Sequence, residues 1–248
     1  MNKMKPTLLL KGIVALLSAC SVAHATVSPD RTRIIFNETD KSVSIKLTNQ
    51  SKTTPYLAQS WIEDKEGRKT REYMTPLPPL IRLDAEEQSQ IRLMGQQNLA
   101  RLPADRESLF YYNMREIPPR STQKNIMQIA MQSRLKVFWR PKAIVLKEGQ
   151  AVPMDKVEVS RTATGVMIKN GTPYHITIGY IGIDGKTLLQ GAKGFMVAPF
   201  SQTQSEIKNL PEKFQIGYIG DYGGLNNFRI NCTSVQPVCH SESVKKGS

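Results

Sequence analysis

An all-β chain of two sandwich domains is what this sequence predicts, and three observations carry the prediction. Short apolar segments of alternating parity recur along the 248 residues, the period-2 pattern of half-buried strands. Between them stand Gly, Pro, Asn and Asp, residues whose backbone preferences suit turns. The segments fall into two series of about seven, each within roughly 100 to 120 residues, which suits two sandwiches better than one large barrel. No internal repeat, low-complexity tract or long helical period is present, which argues against solenoids and coiled coils.

Residues 1–25 precede the first series and read as a secretory signal. Lys3 and Lys5 form a positive start, Ile13 to Ala19 a short apolar stretch, and Ala23-His24-Ala25 an A-x-A cleavage site, so the mature chain is expected to begin at Thr26. The stretch is too short to span a bilayer. Leu17-Ser18-Ala19-Cys20 offers a competing route, lipidation of Cys20, which the mass of the mature protein would distinguish from removal. Cleavage takes away Lys3, Lys5 and Lys11 and no acid, so the formal charge falls from +13 to +10. Residues 26–145 carry 20 basic against 13 acidic side chains, and 146–248 carry 11 against 8. In an exported chain that excess argues against nucleic acid and for an acidic protein, a carboxylate or a membrane surface, with a solvated basic face as the bland alternative.

The first series comprises Arg33 to Phe36, Val43 to Leu47, Tyr56 to Ile62, Ile91 to Met94 and Leu109 to Arg115, and closes on the longest alternating stretch, Asn125 to Arg140. At roughly 3.3 Å per residue that last strand would run about 50 Å, far beyond the usual five or six residues, so one end is available for something other than this domain's own sheet. Met127, Ile129, Met131, Leu135 and Val137 share one parity. The pattern admits two readings of the first three, as ordinary core or as side chains exposed for a partner, and the use of Met hints at the second. Trp61 falls on the third strand, where immunoglobulin-like domains often bury a Trp. Alternation stops over Pro141 to Pro153, with Lys147-Glu148-Gly149-Gln150 reading as a linker, so the domains are placed at 26–145 and 146–248.

The second series runs Lys156 to Ser160, Val166 to Lys169, His175 to Ile181, Phe195 to Val197, Thr203 to Ile207, Phe214 to Ile219 and Phe228 to Cys232. Cys232 and Cys239 are the only cysteines left after cleavage and enclose six residues, so an oxidising compartment favours a disulfide between them. Their spacing is not C-x-x-C and His240 alone completes no ligand set, so no metal is expected.

Catalytic chemistry is nearly absent from the pattern. His175 and His240 are the mature histidines, and neither G-x-S-x-G, H-E-x-x-H nor a P-loop occurs. S-x-x-K appears three times without the companion motifs of a penicillin-binding site, and Asp221-Tyr222-Gly223-Gly224 reads as a tight turn. No enzyme activity and no cofactor are expected, although an activity requiring His175 would revive the enzyme reading.

Five segments carry a resemblance to a known family. Asp30-Arg31-Thr32-Arg33, Pro55-Tyr56-Leu57-Ala58-Gln59 with Trp61, the run DRESLFYYNMREIPPR from Asp105 to Arg120, the ending Phe138-Trp139-Arg140-Pro141 and Asp221-Tyr222-Gly223-Gly224 together resemble the PapD-like periplasmic pilus chaperones, over essentially the whole mature chain. The resemblance implies two immunoglobulin-like β-sandwich domains in a boomerang arrangement, holding a pilin subunit in the cleft and passing it to the outer-membrane usher. It implies that Met127, Ile129 and Met131 form a donor strand lent to the subunit's open groove. Strand addition of that kind covers an unpaired sheet edge, itself an aggregation hazard. Arg33 and Lys136 match the family's two basic cleft residues, implied to hold the subunit's C-terminal carboxylate, although pattern alone favours a solvated cation for each. Lys136 has the opposite parity from the donor residues, for which strand twist or a bulge is the expected reconciliation. Glu107, Arg140 and Asp221 match a charge cluster at the domain junction, and Gly220 replaces an Asn often found before Asp-Tyr-Gly. Pilin subunits and the usher are thus the expected partners, the periplasm the expected location, and self-association of the unliganded protein is left open. The alternative reading is a secreted two-domain immunoglobulin-like adhesion or structural protein, which needs neither Arg33 nor Lys136.

Overall fold

The computed structural model describes residues 26–121, 127–233 and 238–244. Strands, turns and short 3-10 segments make up these residues, with no α-helix among them. The processing signals in residues 1–25 lie outside the described residues, as do Asn125 and Lys124 before the last strand of the first domain.

Ten strands build the first sandwich: β1 (Val27–Pro29), β2 (Arg33–Asn37), β3 (Ser42–Asn49), β4 (Tyr56–Glu63), β5 (Lys69–Thr70), β6 (Met74–Leu77), β7 (Leu80–Leu83), β8 (Gln88–Gly95), β9 (Ser108–Ile117) and β10 (Gln132–Arg140). One sheet has the order β1-β3-β8-β6; the other has the order β2-β10-β9-β4-β5, with β7 also paired to β4. Alternate residues of each sheet meet in one apolar core that includes Phe36, Ile62, Leu93, Tyr112, Val137 and Trp139, as expected for two sheets packed face to face. Trp61 does not join that core. It lies on the outer parity of β4, where its indole N–H donates to Glu63 at 2.9 Å, while Trp139 supplies the buried indole.

The second sandwich pairs a three-stranded sheet, β11 (Val157–Thr162), β12 (Gly165–Asn170) and β15 (Gln202–Glu206), with a five-stranded one. The latter has the order β14-β13-β16-β17-β18, where β13 is Ile176–Gly182, β14 Phe195–Val197, β16 Lys213–Ile219, β17 Leu225–Asn231 and β18 His240–Ser243. It has its own core around Val166, Ile168, Ile178, Phe214 and Ile216. The Cys232–Cys239 disulfide is formed and ties the end of β17 to the start of β18.

One element differs from its expected extent. The predicted strand from Asn125 to Arg140 is regular only from Gln132, because its neighbours end there. β9 pairs with it from Trp139 back to Gln132, β2 only from Arg140 back to Lys136. Beyond that, the Glu116 N–H still donates to the Met131 carbonyl at 3.0 Å. Residues 127–130 have no ladder on either side among the described residues, and a strand without a partner leaves its backbone groups to water.

Candidate functional site

The face of the β2-β10-β9 sheet that turns away from the core is positioned against the second domain. On β2, Ile34 and Phe36 point inward, which sends Arg33 outward; on β10, Leu135, Val137 and Trp139 point inward, which sends Lys136, Phe138 and Arg140 outward. Parallel pairing then sets Lys136 directly opposite Arg33. The parity conflict dissolves without a bulge: β10 shows no register shift, and the exposed residues before it continue the inward parity. The basic pair and the apolar row therefore lie on opposite faces of one strand.

Arg33 is buried and donates from Nη1 to the Ile219 carbonyl of the second domain at 2.9 Å, while its Nε has no partner. Burial lowers its pKa, which Asp221 partly restores. Lys136 is half-buried and makes no ion pair among the described residues. Burial first, then the neighbouring Arg33 and Arg134, hold its ammonium below the usual lysine range. Two adjacent cations without an acid between them disfavour one another's charge. They are well placed for an anion offering two oxygens. Arg134 contrasts with them, because it already has Glu63 at 3.0 Å and the Tyr111 ring 3.4 Å away.

Deeper in the junction, Arg140 reaches two acids. Its Nη2 and Nε donate to Glu107 Oε1 at 2.7 and 3.0 Å, and Nη1 and Nη2 donate to Asp221 at 2.9 and 3.2 Å. The Arg140 side chain is 3% exposed and that of Glu107 2%, against 25% for Asp221. The second Glu107 oxygen accepts the His175 backbone N–H at 2.7 Å and lies 3.2 Å from His175 Nδ1. Tyr174 places its ring 4.9 Å from the Arg140 guanidinium and donates its hydroxyl to the Ile144 carbonyl at 2.7 Å. His175 and Tyr174 are thus part of the junction although the sequence assigns them no role there. The turn after β16 closes through backbone, with Gly223 N–H donating to the Gly220 carbonyl at 2.9 Å, so Gly220 needs no side chain to complete it. Gly223 adopts φ +81°, and a Cβ there would stand 2.7 Å from Thr32 Oγ1 in the first domain, so glycine is required both for the turn and for the approach of the domains.

Met127, Ile129 and Met131, the residues expected to form a donor strand, stand apart from both clusters. Met127 is 86% exposed, Ile129 69% and Met131 40%, so none is core of the described molecule. Leu135 and Val137, on the same parity, are buried. The apolar row thus runs from the core of the first domain out into solvent.

Comparison with known proteins decides the family. Residues 26–145 match the pili and flagellar-assembly chaperone PapD N-terminal domain, and residues 153–229 match the pili assembly chaperone PapD C-terminal domain. The chain belongs to the PapD-like pilus chaperones. Among curated relatives, the uncharacterized fimbrial chaperone YqiH of Escherichia coli (strain K12) is 50% identical over 235 residues, 93% of this chain and 94% of that one. Chaperone protein PapD of Escherichia coli is 39% identical over 210 residues, 84% and 87% of the two chains. Among solved structures, the periplasmic chaperone SfaE aligns with a TM-score of 0.67 at 31% identity, over 82% of this chain and 98% of that one. The Salmonella enterica SafB chaperone, solved with the SafA pilin, shares the fold with a TM-score of 0.69 at 22% identity, over 85% and 98%. This PapD-like chain is therefore a fimbrial chaperone of two immunoglobulin-like domains, and the adhesion reading gains nothing from these relatives.

Proposed function

We propose that this chaperone captures a pilin subunit by adding a strand to it, with residues 127–131 as the donor and Arg33 and Lys136 as the anchor for the subunit's C-terminal carboxylate. The observation that carries the reading is the side-by-side pair Arg33 and Lys136, with no ion-pair partner for either among the described residues, beside the apolar, unladdered residues that precede β10. The carboxylate sets the register: once it binds beside Lys136, the subunit's last strand runs along the open side of Gln132 to Leu135 and on past Met131, Ile129 and Met127. Those side chains then enter the subunit's apolar groove, and the backbone groups without a ladder acquire one. Strand addition of this kind requires no bond-making chemistry, so the reading assigns no catalytic residue and no cofactor. The junction of Glu107, Arg140 and Asp221 fixes the angle at which the second domain faces the bound subunit. Export to the periplasm and delivery to the outer-membrane usher complete the reading.

Co-purification of pilin subunits co-expressed with tagged mature protein tests it. Wild type is expected to retain them, and Lys136→Ala and Arg33→Ala, each shown to fold, to lose them. Lys136→Ala is the cleaner variant, because Arg33 also holds Ile219 across the junction. Equal retention by all three would sink carboxylate anchoring.

A further inference from the structure

Eight methionines lie in the described residues, and they differ in exposure in a way that coincides with the donor row. Met74 and Met114 are buried, Met94, Met154, Met167 and Met196 are half-buried, and only Met127 and Met131 are exposed. Both occupy a segment that has no ladder partner among the described residues, where the Met131 carbonyl accepts a backbone hydrogen bond from Glu116. A thioether is soft, polarizable and readily oxidised once solvent reaches it.

We infer that Met127 and Met131 form an oxidative modification site at which a dissolved peroxide or hypochlorous acid turns off subunit capture. The inference rests on the donor-strand reading above. With hydrogen peroxide, a lone pair of the Met sulfur attacks one peroxide oxygen, the O–O bond breaks as the S–O bond forms, and water leaves. With hypochlorous acid the other products are chloride and a proton. In each case sulfur loses two electrons, the oxidant gains two, and the product is methionine sulfoxide. The sulfoxide oxygen is a strong acceptor carried into a groove that takes apolar side chains, where it finds no donor and loses its water. Ile129, between the two, has no such chemistry, so the switch resides in its neighbours. The buried and half-buried methionines are shielded by the sandwiches, so the fold survives doses that reach the donor row.

The test treats folded mature protein with graded hydrogen peroxide, maps sulfoxides by peptide mass, and measures retention of the same co-expressed pilin subunits. Sulfoxide is expected first at Met127, then at Met131, before any other methionine. Retention is expected to fall about tenfold or more. Met127→Leu with Met131→Leu, inert to peroxide, should show the same retention after treatment as its own untreated sample, whatever that level is. Uniform oxidation of all methionines, retention unchanged by modification at both sites, or equal loss in the double variant would each overturn the inference. Absence of retention before any oxidant is added would overturn the donor-strand reading and this inference with it, and is recognised by its occurrence in untreated protein.

Discussion

Lys136 carries the clearest electrostatic signature of the cleft, a cation whose neighbours are cations. Its pKa is lowered in the free protein, and a carboxylate placed beside it would raise it again, so capture should be accompanied by proton uptake. The sign follows from linkage: affinity is full below the pKa of the free lysine and is lost as pH rises through that of the bound one. Titration calorimetry of subunit binding in alkaline buffers of different ionisation enthalpy should register that uptake, and Lys136→Arg, which stays protonated, should abolish it. No uptake by wild type would mean that Lys136 does not meet the carboxylate. In the core, burial pushes the Tyr112 hydroxyl up to about 12, against a partial opposing effect of its 2.8 Å hydrogen bond with Ser60. Because the folded value is raised, the stability that Tyr112 contributes is present below its ordinary pKa of 10.0 and disappears as pH climbs toward about 12. Burial also raises Tyr174 and Tyr218, so alkaline difference spectroscopy should find a late-ionising group of tyrosines from which Tyr112→Phe removes the component that accompanies unfolding.

At the level of elements, the strand β10 sorts its residues by how many neighbours they have, two ladders near Arg140, one near Gln132 and none by Met127. Ile129→Asp should abolish subunit capture with almost no change in melting temperature, since Ile129 is 69% exposed. Trp139→Ala, in the same alternating row but buried, should cost about 3–5 kcal/mol by denaturant unfolding. The difference between those two outcomes was only half legible in the sequence. Alternation showed the row and its parity, but periodicity carries no information about where neighbouring strands stop, and hence none about where core becomes free edge. β1, β5, β6, β7 and β18 escaped for a related reason: at two to four residues they are too short to alternate, and pairing with longer neighbours makes them strands. Trp61 lies on the strand expected for it but outside the core, because aromatic content marks a strand without choosing its face. The disulfide was readable from cysteine count alone. Its reduction should lower the stability of the second domain by about 2 kcal/mol or more, monitored as the thermal transition of that domain.

For the whole molecule, the two cores are separate and the domains meet through charged groups and the Phe138–His175 ring contact, with the Arg140 guanidinium gripping both sides of the joint. Removing it leaves Glu107 buried and short of its cation, a change worth about 3–5 kcal/mol. Arg140→Ala should also uncouple the domains, seen in calorimetry as two thermal transitions spaced more widely than in wild type measured alongside. The sequence offered the three charged residues of this joint through resemblance, whereas His175 and Tyr174 had no motif to announce them and became visible only through their contacts. The unladdered residues before β10 also bear on how long the protein lasts in the cell. A stretch of chain whose backbone pairs with no neighbouring strand is what a protease active site accommodates. A molecule with cargo would hide it and an idle one would present it, so surplus chaperone should be clipped there first. Its abundance would then follow the supply of subunits, with no separate regulator needed.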